Sequence, residues 1–353
     1  MAEIRVAFWN VENLFDTTAS DIATDLEFTP AEGWTDAVFD AKVANLASVI
    51  QGMHGGAGPD LLGLCEVENK GVVEDLLAAV GRPDLKIAHV ESPDIRGIDC
   101  TLAYSTNVFD DPPELVAGHL VYFRYPTRDI FQVKLRLKGG GPALNVFVNH
   151  WPSRRQGQYE SEPHRITVAE RCGRLVDDVL KFSRADYANV PDSAAGLQQL
   201  NNRWNENVLL MGDFNDEPFN RSITDYLKAS KDLDKVEEVW KPAGGHHIPA
   251  LKTYLGRPAV LFNLAWPFLA TPDNGSFHFD GGEANTMNVL DQWIVSRGLH
   301  YGASGLRVKN GSASIVRPAA MTTAAKQRAR PFDRATKKGY SDHFPIQLVL
   351  ETV

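Results

Sequence analysis

The chain has 353 residues, 43% of them hydrophobic and 23% charged, with 36 basic and 45 acidic side chains for a formal charge of −9. This composition supports a sizeable core. It excludes a protein that coats nucleic acid through charge alone, but not an enzyme with a locally positive cleft.

In chain order the predicted elements begin with a strand over Ile4–Trp9, a helix over Asp40–Gln51, a strand over Leu61–Val67 and a helix over Val72–Val80. Strands follow at Cys100–Tyr104, Ile130–Leu137 and Leu144–Asn149, each rich in β-branched or aromatic residues. The clearest helix spans His164–Phe182, where Ala169, Cys172, Val176 and Val179 recur at spacings of three and four. The remaining strands are Val208–Gly212, Gln292–Val295 and Ile346–Leu350. Mixed strands and helices without a repeat period indicate a layered α/β chain, and no linker divides it.

Cys65, Cys100 and Cys172 give neither a disulfide framework nor a zinc spacing, so they read as reduced, buried thiols. No run of about 18 apolar residues predicts a membrane span, and no signal peptide is visible. The expected location is cytoplasmic, or outside the cell with a leader removed. Three segments depart from the average. Residues Asp16 to Asp36 carry six acids and no base, which reads as a solvated loop or a second cation site. Val260–Phe268 is apolar and aromatic, fitting either core or a membrane-touching wall. Between Arg317 and Lys338 there are seven bases (Arg317, Lys326, Arg328, Arg330, Arg334, Lys337, Lys338) against Asp333 alone, a local balance of +6 that leaves −15 for the rest. That segment is expected to line a cleft.

The chemistry-bearing residue types sit at strand ends. Ile4–Trp9 runs into Asn10-Val11-Glu12-Asn13, and Leu61–Leu64 into Cys65-Glu66-Val67-Glu68-Asn69. Leu144–Val148 runs into Asn149-His150-Trp151-Pro152-Ser153-Arg154-Arg155, and Val208–Met211 into Gly212-Asp213-Phe214-Asn215-Asp216. Ser341-Asp342-His343 precedes the last strand. Each alone fits a capped strand end. Together, hard oxygen donors with histidines fit a Mg²⁺-type phosphoesterase better than a zinc site. A carboxylate beside an amide at Asp213 and Asn215 suits proton acceptance from water and a hydrogen bond to a phosphoryl oxygen.

The ordered set WNVENLF, CEVEN, RGIDCTLAY, NHWPSR, GDFNDEP, LDQWIVS and YSDHFP, from residue 8 to 345, resembles the endonuclease/exonuclease/phosphatase superfamily. The resemblance implies a four-layer α/β/β/α sandwich: two mostly antiparallel sheets face to face, helices outside, and one catalytic domain over residues 1–353. It makes Glu66 the principal metal ligand, with Asn10 beside it orienting metal or phosphate, and Asp342 near the metal. It makes Asp213 the residue that orients or deprotonates the attacking water, Asn215 its partner on the phosphate, and His343 the histidine at the scissile phosphate. His150 resembles a second histidine found in the deoxyribonuclease-like and sphingomyelinase-like branches. The implied cofactor is Mg²⁺, with Mn²⁺ or Ca²⁺ as alternatives.

A carboxylate accepting a histidine Nδ1 proton fixes the tautomer and raises the pKa. Asp291 is the expected partner of His343, and Asp99 of His150. Several family members place a tyrosine before the Asp99 strand. Here Arg96 stands in that stretch, as a phosphate clamp or a solvated loop arginine. Of Arg154 and Arg155, one is expected to contact substrate and the other to form surface pairs. The leading reading is a metal-dependent nuclease acting on nucleic acid by in-line attack of water. The alternatives are hydrolysis of a small or lipid phosphoester, and an inactive binding module. No obligate protein partner is predicted.

Overall fold

The computed structural model describes residues 2–19, 26–155, 157–270, 274–278, 287–323 and 328–353. The first strands are β1 (Glu3–Leu14), β2 (Leu61–Val67), β3 (Leu85–His89) and β4 (Asp99–Ser105). Next come β5 (Leu115–His119), β6 (Ile130–Arg136), β7 (Ala143–His150) and β8 (Val208–Asp213). Four short strands follow: β9 (Ala229–Ser230), β10 (Leu261–Asn263), β11 (Phe277–His278) and β12 (Met287–Asn288). The last are β13 (Asp291–Val295), β14 (Leu306–Val308), β15 (Ser314–Ile315) and β16 (Ile346–Thr352). The three long helices are α1 (Asp36–Gly56), α2 (Lys70–Val80) and α3 (Gln158–Leu180).

One seven-stranded sheet has the order β14-β16-β1-β2-β4-β3, with β15 also pairing β16. The other has the order β5-β6-β7-β8-β13-β10-β9. Most pairings are antiparallel, but each sheet has a parallel pair at its centre, β1 with β2 and β7 with β8. Period-two alternation explains how the layers stack. In β1, Ile4, Val6 and Phe8 enter the core between the sheets, where they meet Val133, Val146, Leu209 and Trp293. Ala7, Trp9 and Val11 point the other way, into a second core with α1 and α2. A third core lies between the opposite sheet and α3. This is the expected α/β/β/α sandwich.

Every predicted strand is present with ends moved by a residue or two, except β1, which runs on to Leu14. Helix α1 begins at Asp36 and loses helical dihedrals at Met53, His54 and Gly55. Helix α3 starts before Pro163, which it carries inside. Strands β3 and β5 and a helix over Ala194–Trp204 were not predicted. The apolar run Val260–Phe268 forms β10 and a 3-10 turn, with Leu261, Ala265 and Phe268 buried, which supports core over a membrane-touching wall. Among the described residues no helix is long and apolar enough to cross a membrane. All three cysteines are buried and free.

Candidate active site

The two central parallel pairs deliver the site. Parallel neighbours bring both C-terminal ends to the same edge, so β1 presents Asn10 opposite Cys65, one residue before Glu66. The pair β7–β8 places His150 opposite Asp213. Strand β13 is antiparallel to β8 and begins at that edge, setting Asp291 opposite Asp213. Strand β16 enters opposite Phe8, which carries the preceding Asp342 and His343 over the same edge. The turn before it is pinned to β1: Trp9 Nε1 donates to the His343 carbonyl at 2.8 Å, and Ser341 Oγ to the Asn10 carbonyl at 2.7 Å.

These strands end in irregular backbone. Glu12, Asn13, Glu66 and Asn215 have φ of 53°, 57°, 62° and 50°, uncommon for residues with a Cβ. Pairing slips between Asn10 and Leu14 and between Cys65 and Val67. Such bulges re-aim a side chain that regular pleating would bury. Gly212 serves close approach, since a Cβ there would lie 2.3 Å from the Asn149 carbonyl oxygen.

The side chains converge on Asp213. Asn10 Nδ2 donates to Asp213 Oδ2 at 3.1 Å and to Glu66 Oε1 at 3.3 Å, while its Oδ1 accepts from the Glu12 amide. His150 Nε2 stands 3.5 Å from Glu66 and 3.8 Å from Asp213. His343 Nε2 stands 3.7 Å from Asp213, and its Nδ1 bonds Asp291 Oδ2 at 2.8 Å. Glu66, Arg96, Arg155, Asp342 and Asn288 line the same cleft.

The electrostatics separate the two histidines. His150 is held well below its ordinary pKa by burial, and then by Arg128, Arg96, His343 and Arg155. For His343 burial acts downward, but Asp291 and Asp213 outweigh it and raise the ring well above its ordinary value. One imidazole is therefore neutral and the other charged at neutral pH. Asp213 is pushed up to about 6 by burial, against the pull of His343. Donor atoms of Asp213, Asp291 and His343 lie within 4.8 Å of one another. With Asp291 already hydrogen-bonded to His343, this trio reads as a proton-holding group.

The structure changes or refines four expectations. The Asp99–His150 pair does not form: Asp99 accepts from the Ser92 amide at 2.9 Å and faces His89 at 3.5 Å. Asp99 follows the bulge in β2, which sets it opposite Val67 rather than toward β7. His150 Nδ1 has no hydrogen-bond partner among the described residues. Asn215 lines the cleft but spends its amide nitrogen on the Trp151 carbonyl at 2.9 Å and Asp213 Oδ2 at 3.3 Å, so it also positions Asp213. Arg154 braces that loop, donating to the Asn215 carbonyl, Asp216 and Asn220, which leaves Arg155 as the exposed arginine at the cleft. None of the described residues of segment 317–338 lines the cleft. Arg334 instead lies over the rings of Phe28 and Trp34, beside the acidic loop, and Arg317 over Phe344. Lys326, Asp21 and Asp25 lie outside the described residues. Arg96 donates to Asn13 Oδ1 at 2.8 Å while facing the cleft.

Lys42 is a further part of the centre. Buried on α1, it donates to the Glu12 carbonyl and lies 5.3 Å from the Phe332 ring centroid. Burial lowers it to about 8, against the upward pull of Glu12, Asp342 and Glu66. Burial and then Asp342 raise Glu12 to about 7. A helical reading had a signal for Lys42: it falls on the buried stripe of Val38, Leu46 and Ile50.

Comparison with known proteins agrees with the fold. Solved structures covering 99% of this chain include a mannosyl-6-phosphatase from Bacteroides thetaiotaomicron (15% identity, 99% of that chain, TM-score 0.53). The catalytic domain of human nocturnin (14%, 95%, 0.51) and ANGEL2, described as a 2′,3′-cyclic phosphatase (12%, 95%, 0.58), are also similar. At these identities the likeness shows the fold alone. No curated protein sequence matches. A family model described as endonuclease/exonuclease/phosphatase matches residues 5–243. That match spans more than half of the chain, which therefore belongs to the endonuclease/exonuclease/phosphatase family.

Proposed function

We propose that this phosphoester hydrolase is a divalent-metal-dependent phosphodiesterase, and that its substrate is nucleic acid. The observation that carries the reading is Asp213, buried between two histidines held in opposite charge states. Titratable groups pushed apart in this way mark acid and base roles. Asp213, ionised above about pH 6, orients the attacking water and accepts its proton. Charged His343, oriented by Asp291, donates to a non-bridging oxygen opposite the developing charge. Neutral His150 offers Nε2 beside Glu66 on the other side of the cleft.

Glu66, Asp342 and Asn10 would hold the cation. The fit rests on repulsion: burial raises Asp342, with Glu66 adding to it, and Glu12 is raised by both. Crowded, hard carboxylate oxygens of this kind suit Mg²⁺, Mn²⁺ or Ca²⁺. Bound there, the ion supplies charge neutralisation at the phosphate.

A second reading, hydrolysis of a terminal phosphomonoester, is favoured by Arg96 and Arg155 lining one cleft, where two cations would suit a dianion. The test is an activity panel with Mg²⁺, Mn²⁺ or Ca²⁺, with and without chelator. Its substrates are bis(p-nitrophenyl) phosphate, p-nitrophenyl phosphate, and single- and double-stranded oligonucleotides. The diester and at least one polynucleotide should be cleaved only with metal, and Glu66→Gln should lose most metal-stimulated turnover while keeping the fold. Faster cleavage of the monoester with no polynucleotide product would put the second reading first.

A further inference from the structure

Strand register places an aromatic loop beside the site. Phe131 pairs with Val148, so the loop entering β6 lies at the edge where β7 ends in His150. The loop, residues 120–129, reads LVYFRYPTRD. Arg128 anchors it, donating to the His150 carbonyl at 3.1 Å and the Trp151 carbonyl at 3.0 Å. Beyond the anchor the loop is open. Tyr122 is 81% exposed and Tyr125 is 44% exposed.

The Tyr125 ring is held in place, while Tyr122 projects into solvent. Phe123 stacks on Tyr125 at 5.7 Å with planes 19° apart, and His164 of α3 meets both edge-on at 5.2 Å and 6.0 Å. Exposed Arg124 lies within the loop, and exposed Arg155 lies on the segment that follows His150. Exposed aromatic surface rimmed by polar groups marks an interaction site. Arginines beside it select a polyanion. Rings that accept a base face, with cations that follow a backbone, are the two elements of single-strand binding.

We infer that Tyr122 and Tyr125 form a stacking platform for unpaired bases of a single-stranded nucleic acid, adjoining the scissile phosphate in the cleft. The inference rests on the nuclease reading and adds strandedness to it. A duplex keeps its base faces stacked inside and cannot use the platform.

The test measures binding of a labelled single-stranded oligonucleotide and its duplex by fluorescence anisotropy in EDTA, with cleavage followed separately in Mg²⁺. The double variant Tyr122→Ala/Tyr125→Ala should weaken single-strand binding at least about tenfold, as expected for lost base stacking. Tyr122→Phe/Tyr125→Phe, which keeps both rings, should bind within about threefold of the parent. Duplex binding and hydrolysis of bis(p-nitrophenyl) phosphate should be unchanged in both. If the parent cleaves oligonucleotides and the alanine variant binds and cleaves them equally well, the platform is wrong and the nuclease reading stands. Equal losses on single strand and duplex also overturn the platform. If the parent cleaves the small diester but no polynucleotide, both fall. Vesicles containing phosphatidylserine test the other occupant: tyrosine-dependent vesicle binding without oligonucleotide binding overturns the inference.

Discussion

Adjacent arginines can do unlike work, and Arg154 and Arg155 show how. Arg154 is tied to the Asn215 carbonyl at 2.6 Å and to Asp216 at 3.2 Å, so it shapes the loop that holds Asp213. Arg155 faces the cleft. Arg155→Ala should raise KM about tenfold with kcat nearly intact, as for a charge that binds substrate and transition state alike. Arg154→Ala should lower kcat and, by breaking a mostly buried pair with Asp216, cost about 3 kcal/mol of stability. Steady-state kinetics and thermal unfolding separate the two, and matching profiles would remove the distinction. Sequence could pair a histidine with a carboxylate only by residue type and family resemblance, because the partners lie in separate motifs. Asp291–His343 forms because β13 and the turn before β16 meet at one edge. Asp99 was misplaced because a one-residue bulge redirects a strand end, and nothing in the residue types near Val67 announces it.

At the scale of elements, alternation and helical spacing made most of the fold legible. The strands that were read are central and apolar on both faces, as in β2 and β8. Some that were missed, such as β5, lie at sheet edges with exposed residues such as Leu115 and Val116 and no clean pattern. Charged residues on buried helix stripes were passed over. Arg165 on α3 is fully buried, 2.8 Å from Asp216, and ties that helix to the loop after β8. Lys42 does the same for α1, placing a cation under the Glu12, Glu66 and Asp342 carboxylates. Lys42→Met should therefore destabilise the chelated protein by about 3–5 kcal/mol, since carboxylates lose their buried counter-charge. Added Mg²⁺ should recover part of that deficit by supplying charge to the same group. Thermal unfolding with EDTA and with Mg²⁺ checks this, and an equal deficit in both would mean that Lys42 only packs.

At the scale of the whole molecule, a second polar cluster lies away from Asp213 at the β3–β4 edge of one sheet, where His89 faces Glu91 at 2.9 Å and Asp99 at 3.5 Å. Burial acts against the charged ring, but Asp99 and Glu91 outweigh it and raise His89 above its ordinary pKa. A raised folded pKa contributes stability that is complete below the unfolded value, about 6.5, and is lost as pH rises through the folded value. Asp129, raised to about 6 by burial and then Asp99, adds its own loss at lower pH, which cancels between matched proteins. His89→Gln should therefore unfold at a lower temperature than the parent at pH 5.5, with the gap closing by pH 9. A constant gap would show that the ring contributes packing rather than charge.

The pinning of β1 by the turn before β16 also has a consequence in time. Trp9 and His343 are bonded across 334 residues of sequence. A ribosome adding about 5–20 residues per second needs tens of seconds between them. For most of that interval Asn10 and Glu66 exist, but the charged imidazole and its neighbour Asp342 do not. On the proposed mechanism a nascent chain is thus born inert, and becomes a hydrolase only when its last strand closes on its first.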